Sequence, residues 1–105
     1  MPAPPVLTRW NHHEPPTADS IAALLRRESL VGEEWSNAPD TIYPSHEHDY
    51  DKVIYCIEGS ITFVMGHTAE KLVLHPGDRL DLPATWPHHA VVGLEGVRCL
   101  EAHSG

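Results

Sequence analysis

Histidine is the residue type that stands out in this 105-residue chain, which contains nine of them. His46 and His48 form an H-x-H pair, and His88 and His89 stand side by side further along the chain. Imidazole suits zinc, iron, nickel and copper, and three histidines around one ion leave coordination positions open for water or a substrate. The H-x-H pair is thus a candidate for a divalent metal site, although by itself it is also compatible with two polar residues on a solvated edge.

The elements that must position these histidines are strands. After Gly32 the apolar pattern has period two, and turn residues divide it into short segments. Because side chains at i and i+2 face the same side of a sheet, His46 and His48 are expected to point together. About eight strands with no helix between them predict an antiparallel sandwich or barrel. The predicted strands are 33–37, 41–44, 46–58, 60–65, 71–75, 78–82, 88–93 and 97–102.

Two runs of sequence resemble the two motifs of the cupin superfamily. The run 46–59 resembles the first motif, in which H-x-H is followed by a glutamate and later by a glycine. The run 77–88 resembles the second motif, in which glycine, proline and a final histidine recur at these spacings. The two motifs stand in the right order, and the resemblance covers residues 33–102.

The resemblance implies an all-β fold, the double-stranded β-helix or jelly-roll barrel of a short bacterial cupin, here with one short N-terminal helix. It also implies that His46, His48 and His88 are the metal ligands. Such a three-histidine set is similar to the iron sites of the cysteine-dioxygenase branch of cupins. The expected cofactor is a divalent transition metal: iron, nickel, zinc or manganese.

Lys52 is the main departure from the first motif, because it stands six residues before Gly59, where the motif has its glutamate. An ammonium cannot ligate, and ~4 Å from a divalent ion it would be repelled by ~8 kcal/mol at an effective dielectric of 20. Lys52 is therefore neutral, or turned away, or the site holds no metal. Asp51, Glu58 and Glu47 do not replace the missing carboxylate, because each has the wrong strand parity or lies too far along the strand.

Lys52 also has two possible roles, an ion pair at the barrel mouth or contact with an anionic ligand. As a buried lysine it is in addition the candidate catalytic residue. A further departure is Thr85, which stands where the second motif usually has glycine. The residues predicted to line the pocket are Lys52, Ile54, Cys56, Trp86, Ala90 and Val92.

The segments before the barrel are predicted to cover it. Residues 1–16 are proline-rich and indicate an extended arm, whose Trp10 should pack on the barrel or on a second subunit. Residues 17–31 indicate a short amphipathic helix that Gly32 stops and that covers one face. Residues 33–102 form the barrel, so the chain is predicted to be one domain overall.

The composition restricts the partners and the location. A formal net charge of −8 argues against nucleic acid and against anionic membranes, which both select basic surfaces. No secretory signal and no membrane-spanning apolar run is visible, and two cysteines are too few for a disulfide framework. The chain is therefore predicted to be cytoplasmic with free thiols. The outward positions Val53, Tyr55 and Ile57 predict an apolar surface for a homodimer.

Three functions remain open from the sequence. The first is a metalloenzyme of the dioxygenase or isomerase type, in which Lys52 orients the substrate. The second is a non-catalytic barrel that binds or senses a small ligand. The third is a metal-free barrel in which Lys52 replaces the metal and binds an anion beside His46, His48 and His88. In each case the ligand is predicted to be small and anionic.

Overall fold

The computed structural model describes residues 3–104, which form a single antiparallel sheet with one helix. The sheet has the strand order β1-β6-β4-β7-β2, with β3 added on β7 and β5 added on β4. The elements are β1 (Val6–Thr8), α1 (Ala18–Arg27), β2 (Glu33–Asn37), β3 (Ile42–His46), β4 (Asp51–Met65), β5 (Lys71–Leu74), β6 (Arg79–Leu82) and β7 (His88–Ser104).

The long strands β4 and β7 are each continuous where the sequence predicted two strands and a turn. The turn predicted at residues 58–60 is a pair of register shifts in β4, and such bulges bend a strand without ending it. Gly59 adopts φ +76°, and a Cβ there would lie 1.9 Å from the carbonyl oxygen of Gly96. The two glycines thus let β4 and β7 bend together while they stay paired, which curls the sheet around its inner face.

The outer face of β4 packs against α1, and this corrects the predicted dimer surface. Val53, Tyr55 and Ile57 are buried, in one cluster with Ile21 and Leu25 of the helix. They point outward as predicted, but the helix of the same chain covers them, so they do not form an exposed apolar patch. The homodimer stays a prediction without this surface to support it.

The helix is shorter than the sequence predicted. Its N-cap is Thr17, whose side chain accepts a hydrogen bond from the backbone N–H of Ser20. The helix ends at Arg27, because the chain turns through Ser29 at φ +61° and not at Gly32. No helix within residues 3–104 has the length and apolar character needed to cross a membrane.

The N-terminal arm packs on the barrel of its own chain. Its strand β1 pairs with β6, and the buried carboxylate of Asp78 accepts hydrogen bonds from Arg9 at 2.6 Å and from the backbone N–H of Trp10 at 3.2 Å. Gly77 has φ +90°, and a Cβ there would lie 2.5 Å from Trp10. A side chain at position 77 would therefore displace Trp10, which the sequence placed either here or on a second subunit.

Candidate metal centre

The structure brings the three predicted histidines together, but only two of them lie on strands. His46 ends β3 and pairs with His88, the first residue of β7. His48 lies in the loop that follows β3, so the prediction that the H-x-H pair shares a strand face is wrong. The ring centroid of His46 lies 4.8 Å from that of His48 and 4.4 Å from that of His88. One ring nitrogen from each histidine lies within 4.8 Å of the corresponding nitrogens of the other two.

Two hydrogen bonds fix the loop that carries His48. The backbone N–H of Thr85 donates to the carbonyl oxygen of His48 at 2.7 Å, and the N–H of Ala84 donates to Asp51 Oδ1 at 2.8 Å. Thr85 adopts φ +65°, a region that β-branched residues rarely enter, which explains why the cupin motif usually has glycine here. The loop before His88 therefore holds the loop of His48 in place.

Backbone carbonyls select the tautomers of two histidines. His46 Nδ1 lies 2.7 Å from the carbonyl oxygen of Pro44, and His88 Nδ1 lies 2.8 Å from that of Trp86. A carbonyl oxygen only accepts, so each Nδ1 carries the proton and each Nε2 keeps a free lone pair. Such outer hydrogen bonds orient the histidine ligands of metal sites.

The buried lone pair of His88 provides a test of whether these residues fit a metal. Within residues 3–104, His88 Nε2 is buried without a hydrogen-bond partner, and leaving a buried acceptor unpaired costs about 1–3 kcal/mol. Burial lowers the pKa of His88 to about 4 and also lowers the pKa of His48. Both rings are thus neutral at neutral pH, the form that binds metal, and the three histidines fit a divalent transition ion.

Lys52 points into the site and is not turned away from it. Its Nζ lies 3.1 Å from His48 Nε2 and 3.6 Å from Glu101 Oε1, and only 9% of the side chain is exposed. Burial lowers the pKa of Lys52, while Glu101 opposes that shift. A charged ammonium can only donate to His48, so it uses the lone pair that a metal would need.

Glu101 is the site residue that the sequence analysis missed. It lies on β7 directly opposite Ile54 of β4, and its second oxygen lies 2.8 Å from His103 Nε2. The carboxylates considered from the sequence were near Lys52 in the chain, whereas Glu101 reaches it across the sheet. Its position two residues after the buried Cys99 indicated an inward side chain, but only the register of β4 with β7 places it beside Lys52.

A cavity of about 370 Å³ opens beside the three histidines. Of the residues predicted to line it, Lys52, Ile54 and Ala90 do so. Cys56 and Val92 point to the same side but are packed in the core below the cavity, where β4 and β7 leave no free space.

Trp86 also lies away from this cavity. Its Nε1 donates to the carbonyl oxygen of Ala3 at 3.1 Å, and its ring contacts His67 with 5.0 Å between centroids. The lining residues that the sequence did not indicate are Trp35, Ser36, Asn37, Tyr43, Ile61, Phe63 and Glu101.

The metal-free protein should lose stability as the pH falls below about 6.5. His88 has a pKa of about 4 in the folded state and 6.5 as its ordinary value. Between pH 6.5 and pH 4 His88 is protonated in the unfolded chain but stays neutral in the folded chain. The free energy of unfolding therefore decreases as the pH falls, by about 3 kcal/mol at pH 4. Urea unfolding at a series of pH values measures this slope. His88→Gln should reduce the pH dependence of the free energy of unfolding, whereas His89→Gln should leave it unchanged. Equal pH dependence in the two variants would contradict its assignment to His88.

Comparison with known proteins shows the fold. No protein-family model and no curated protein matches this chain. Among solved structures, a DUF861 family protein from Thermotoga maritima is 21% identical with a TM-score of 0.64, over 87% of this chain and 96% of that one. An RmlC-like cupin from Shewanella frigidimarina is 23% identical with a TM-score of 0.61, over 71% of this chain and 65% of that one.

The DMSP lyase DddQ from Ruegeria pomeroyi is also similar, with 22% identity and a TM-score of 0.65. The alignment covers 72% of this chain but only 38% of the lyase, so this chain corresponds to less than half of that protein. These similarities confirm the prediction of an all-β cupin barrel with one short helix.

Proposed function

We propose that this small cupin holds a divalent first-row transition metal on His46, His48 and His88 and binds a small anionic molecule beside it. The observation that carries the proposal is the set of ring nitrogens within 4.8 Å of one another, one of which, His88 Nε2, is buried and unpaired within residues 3–104. Backbone carbonyls already hold two of the three rings in the tautomer that ligation needs.

The charge balance of the site supports an anionic ligand. Three neutral imidazoles leave the two positive charges of a divalent ion uncompensated. Glu101 brings a carboxylate to the cavity wall, but it is already engaged by Lys52 at 3.6 Å and by His103 at 2.8 Å. An incoming carboxylate would supply the missing negative charge, and open positions on a three-histidine ion accommodate it.

If a metal bound to His48 Nε2, Lys52 could still interact with Glu101. Its ammonium lies between His48 and Glu101, so a small movement would exchange one contact for the other. From that position it would still line the cavity and could donate to the bound anion. A bound metal ion would act as a Lewis acid on an oxygen of that ligand, and this chemistry would allow a metalloenzyme as well as a binding protein.

A metal-free anion pocket is the second candidate function. It is favoured by the contact between Lys52 Nζ and His48 Nε2, which places a cation where the metal would compete for the same lone pair. In this alternative the anion would bind to Lys52 directly, and the histidines would serve only as hydrogen-bonding neighbours.

The metal content of the protein distinguishes the two candidates. Protein purified without an affinity tag should carry a first-row transition metal, and metal-stripped protein should rebind Ni(II) or Zn(II) to about one ion per chain. Elemental analysis and calorimetric titration measure both quantities. Protein that is folded, contains no metal and does not bind either ion would refute the metal proposal and leave the anion pocket.

A further inference from the structure

We propose that the anionic ligand carries a flat apolar ring, so that the cavity takes an aryl-substituted carboxylate such as phenylacetate. This inference rests on the proposed function, because it assumes that the carboxylate binds beside the three histidines. It adds the chemical class of the rest of the ligand, which the metal centre does not specify.

The wall next to the histidines is apolar and aromatic. Tyr43, Ala90 and Phe63 stand side by side on three adjacent strands, since Ala90 pairs with Tyr43 of β3 on one side and with Phe63 of β4 on the other. All three line the cavity. Ala90, which is almost fully buried, lies between the two aromatic side chains, and the row forms an aromatic part of the cavity wall.

This row of three residues lies one step along the sheet from the three histidines. The paired residues His46 and His88 form the neighbouring row, because His88 precedes Ala90 by two residues on β7. Residues two apart on one face of a strand are about 6.6 Å from each other. This distance suits a ligand whose carboxylate lies beside the histidines and whose ring lies against Tyr43 and Phe63.

Two further residues favour a ring over an alkyl chain. Trp35 also lines the cavity and contacts Tyr43 edge to face, with 6.1 Å between ring centroids. Ile54, fully buried on β4 two residues after Lys52, continues the apolar wall. Aromatic side chains prefer offset or edge-to-face contacts with other rings, so a wall that contains Trp35 and Tyr43 favours a ligand with a ring.

The test titrates the Ni(II)-loaded protein with phenylacetate, acetate and 2-phenylacetamide by calorimetry. Acetate lacks the ring and the amide lacks the charge, so phenylacetate should bind at least about tenfold more tightly than either. Acetate binding as tightly as phenylacetate would overturn the ring inference and leave the metal proposal intact. No binding of phenylacetate to protein that has bound nickel would also overturn it, whereas failure of the nickel titration itself counts against the proposed function.

Two variants locate the ring. Ala90→Val adds two methyl groups to the cavity wall between Tyr43 and Phe63 and should weaken phenylacetate binding at least about fivefold. The nickel and acetate affinities should stay unchanged, which also shows that the variant is folded. Trp35→Ala should weaken phenylacetate too, and Trp86→Ala, which removes a tryptophan outside the cavity, should not. Unchanged phenylacetate affinity in both Ala90→Val and Trp35→Ala would refute the placement.

Discussion

Replacing His46 and His48 together with alanine should lower the affinity for Ni(II) at least about 100-fold. Changes in the residues that merely orient a ligand cost 10–100-fold in metal affinity, and this variant removes two of three ligands themselves. The variant keeps only one of the three ligands, His88, whose ring the carbonyl oxygen of Trp86 orients. Calorimetric titration of metal-stripped parent and variant measures the loss.

The matched control removes two histidines from the exposed arm. His12 and His13 are also close in sequence but lie away from the three-histidine cluster, so His12→Ala with His13→Ala should leave the nickel affinity unchanged. Both variants should unfold at about the parent's urea midpoint. A folded His46→Ala, His48→Ala protein with parental nickel affinity would contradict the proposed ligand set.

Lys52→Glu should have the second large effect, an increase in nickel affinity of at least about tenfold. The change removes a cation 3.1 Å from His48 Nε2 and supplies a carboxylate at the position where the cupin motif has one. One cation ~4 Å from a divalent ion contributes ~8 kcal/mol of repulsion at an effective dielectric of 20. The expected gain is smaller than this figure, because Lys52 can retreat to Glu101 and water solvates the charges that remain.

Two controls separate the possible causes of this gain. Lys52→Leu removes the cation without adding a ligand and should give an intermediate affinity. Lys71→Glu makes the same charge change at an exposed position of β5 and should leave nickel binding unchanged. The Lys52→Glu protein should also bind phenylacetate more weakly, since two carboxylates would then meet. Nickel affinity equal to the parent's would mean that Lys52 does not compete with the metal.

The sequence by itself determined the fold class and predicted the three histidines that the structure brings together. Short apolar runs with period two and frequent turn residues limited the chain to an antiparallel sandwich or barrel, and the resemblance to the two motifs selected the barrel. The motifs also pointed to His46, His48 and His88, because residues at these motif positions come together in the folded barrel although they are distant in the chain. Lys52 was recognised from the same spacing as the point where the chain departs from the pattern.

Other features depended on how strands pair, which local patterns do not encode. Glu101 meets Lys52 only because the register places β7 beside β4, and no spacing along the chain indicates that register. For the same reason the aromatic wall of Trp35, Tyr43 and Phe63 could not be assembled from the sequence, since its members lie on three different strands.

Burial was the other property that only the tertiary structure decided. Alternation showed correctly that Val53, Tyr55 and Ile57 point outward, but it could not show that α1 covers them. Alternation also placed Cys56 and Val92 on the inner face, but at these two positions the inner face is part of the packed core and does not line the cavity. A strand pattern reports which side a residue faces, whereas the elements that pack against that side decide whether it meets solvent, a cavity or the core.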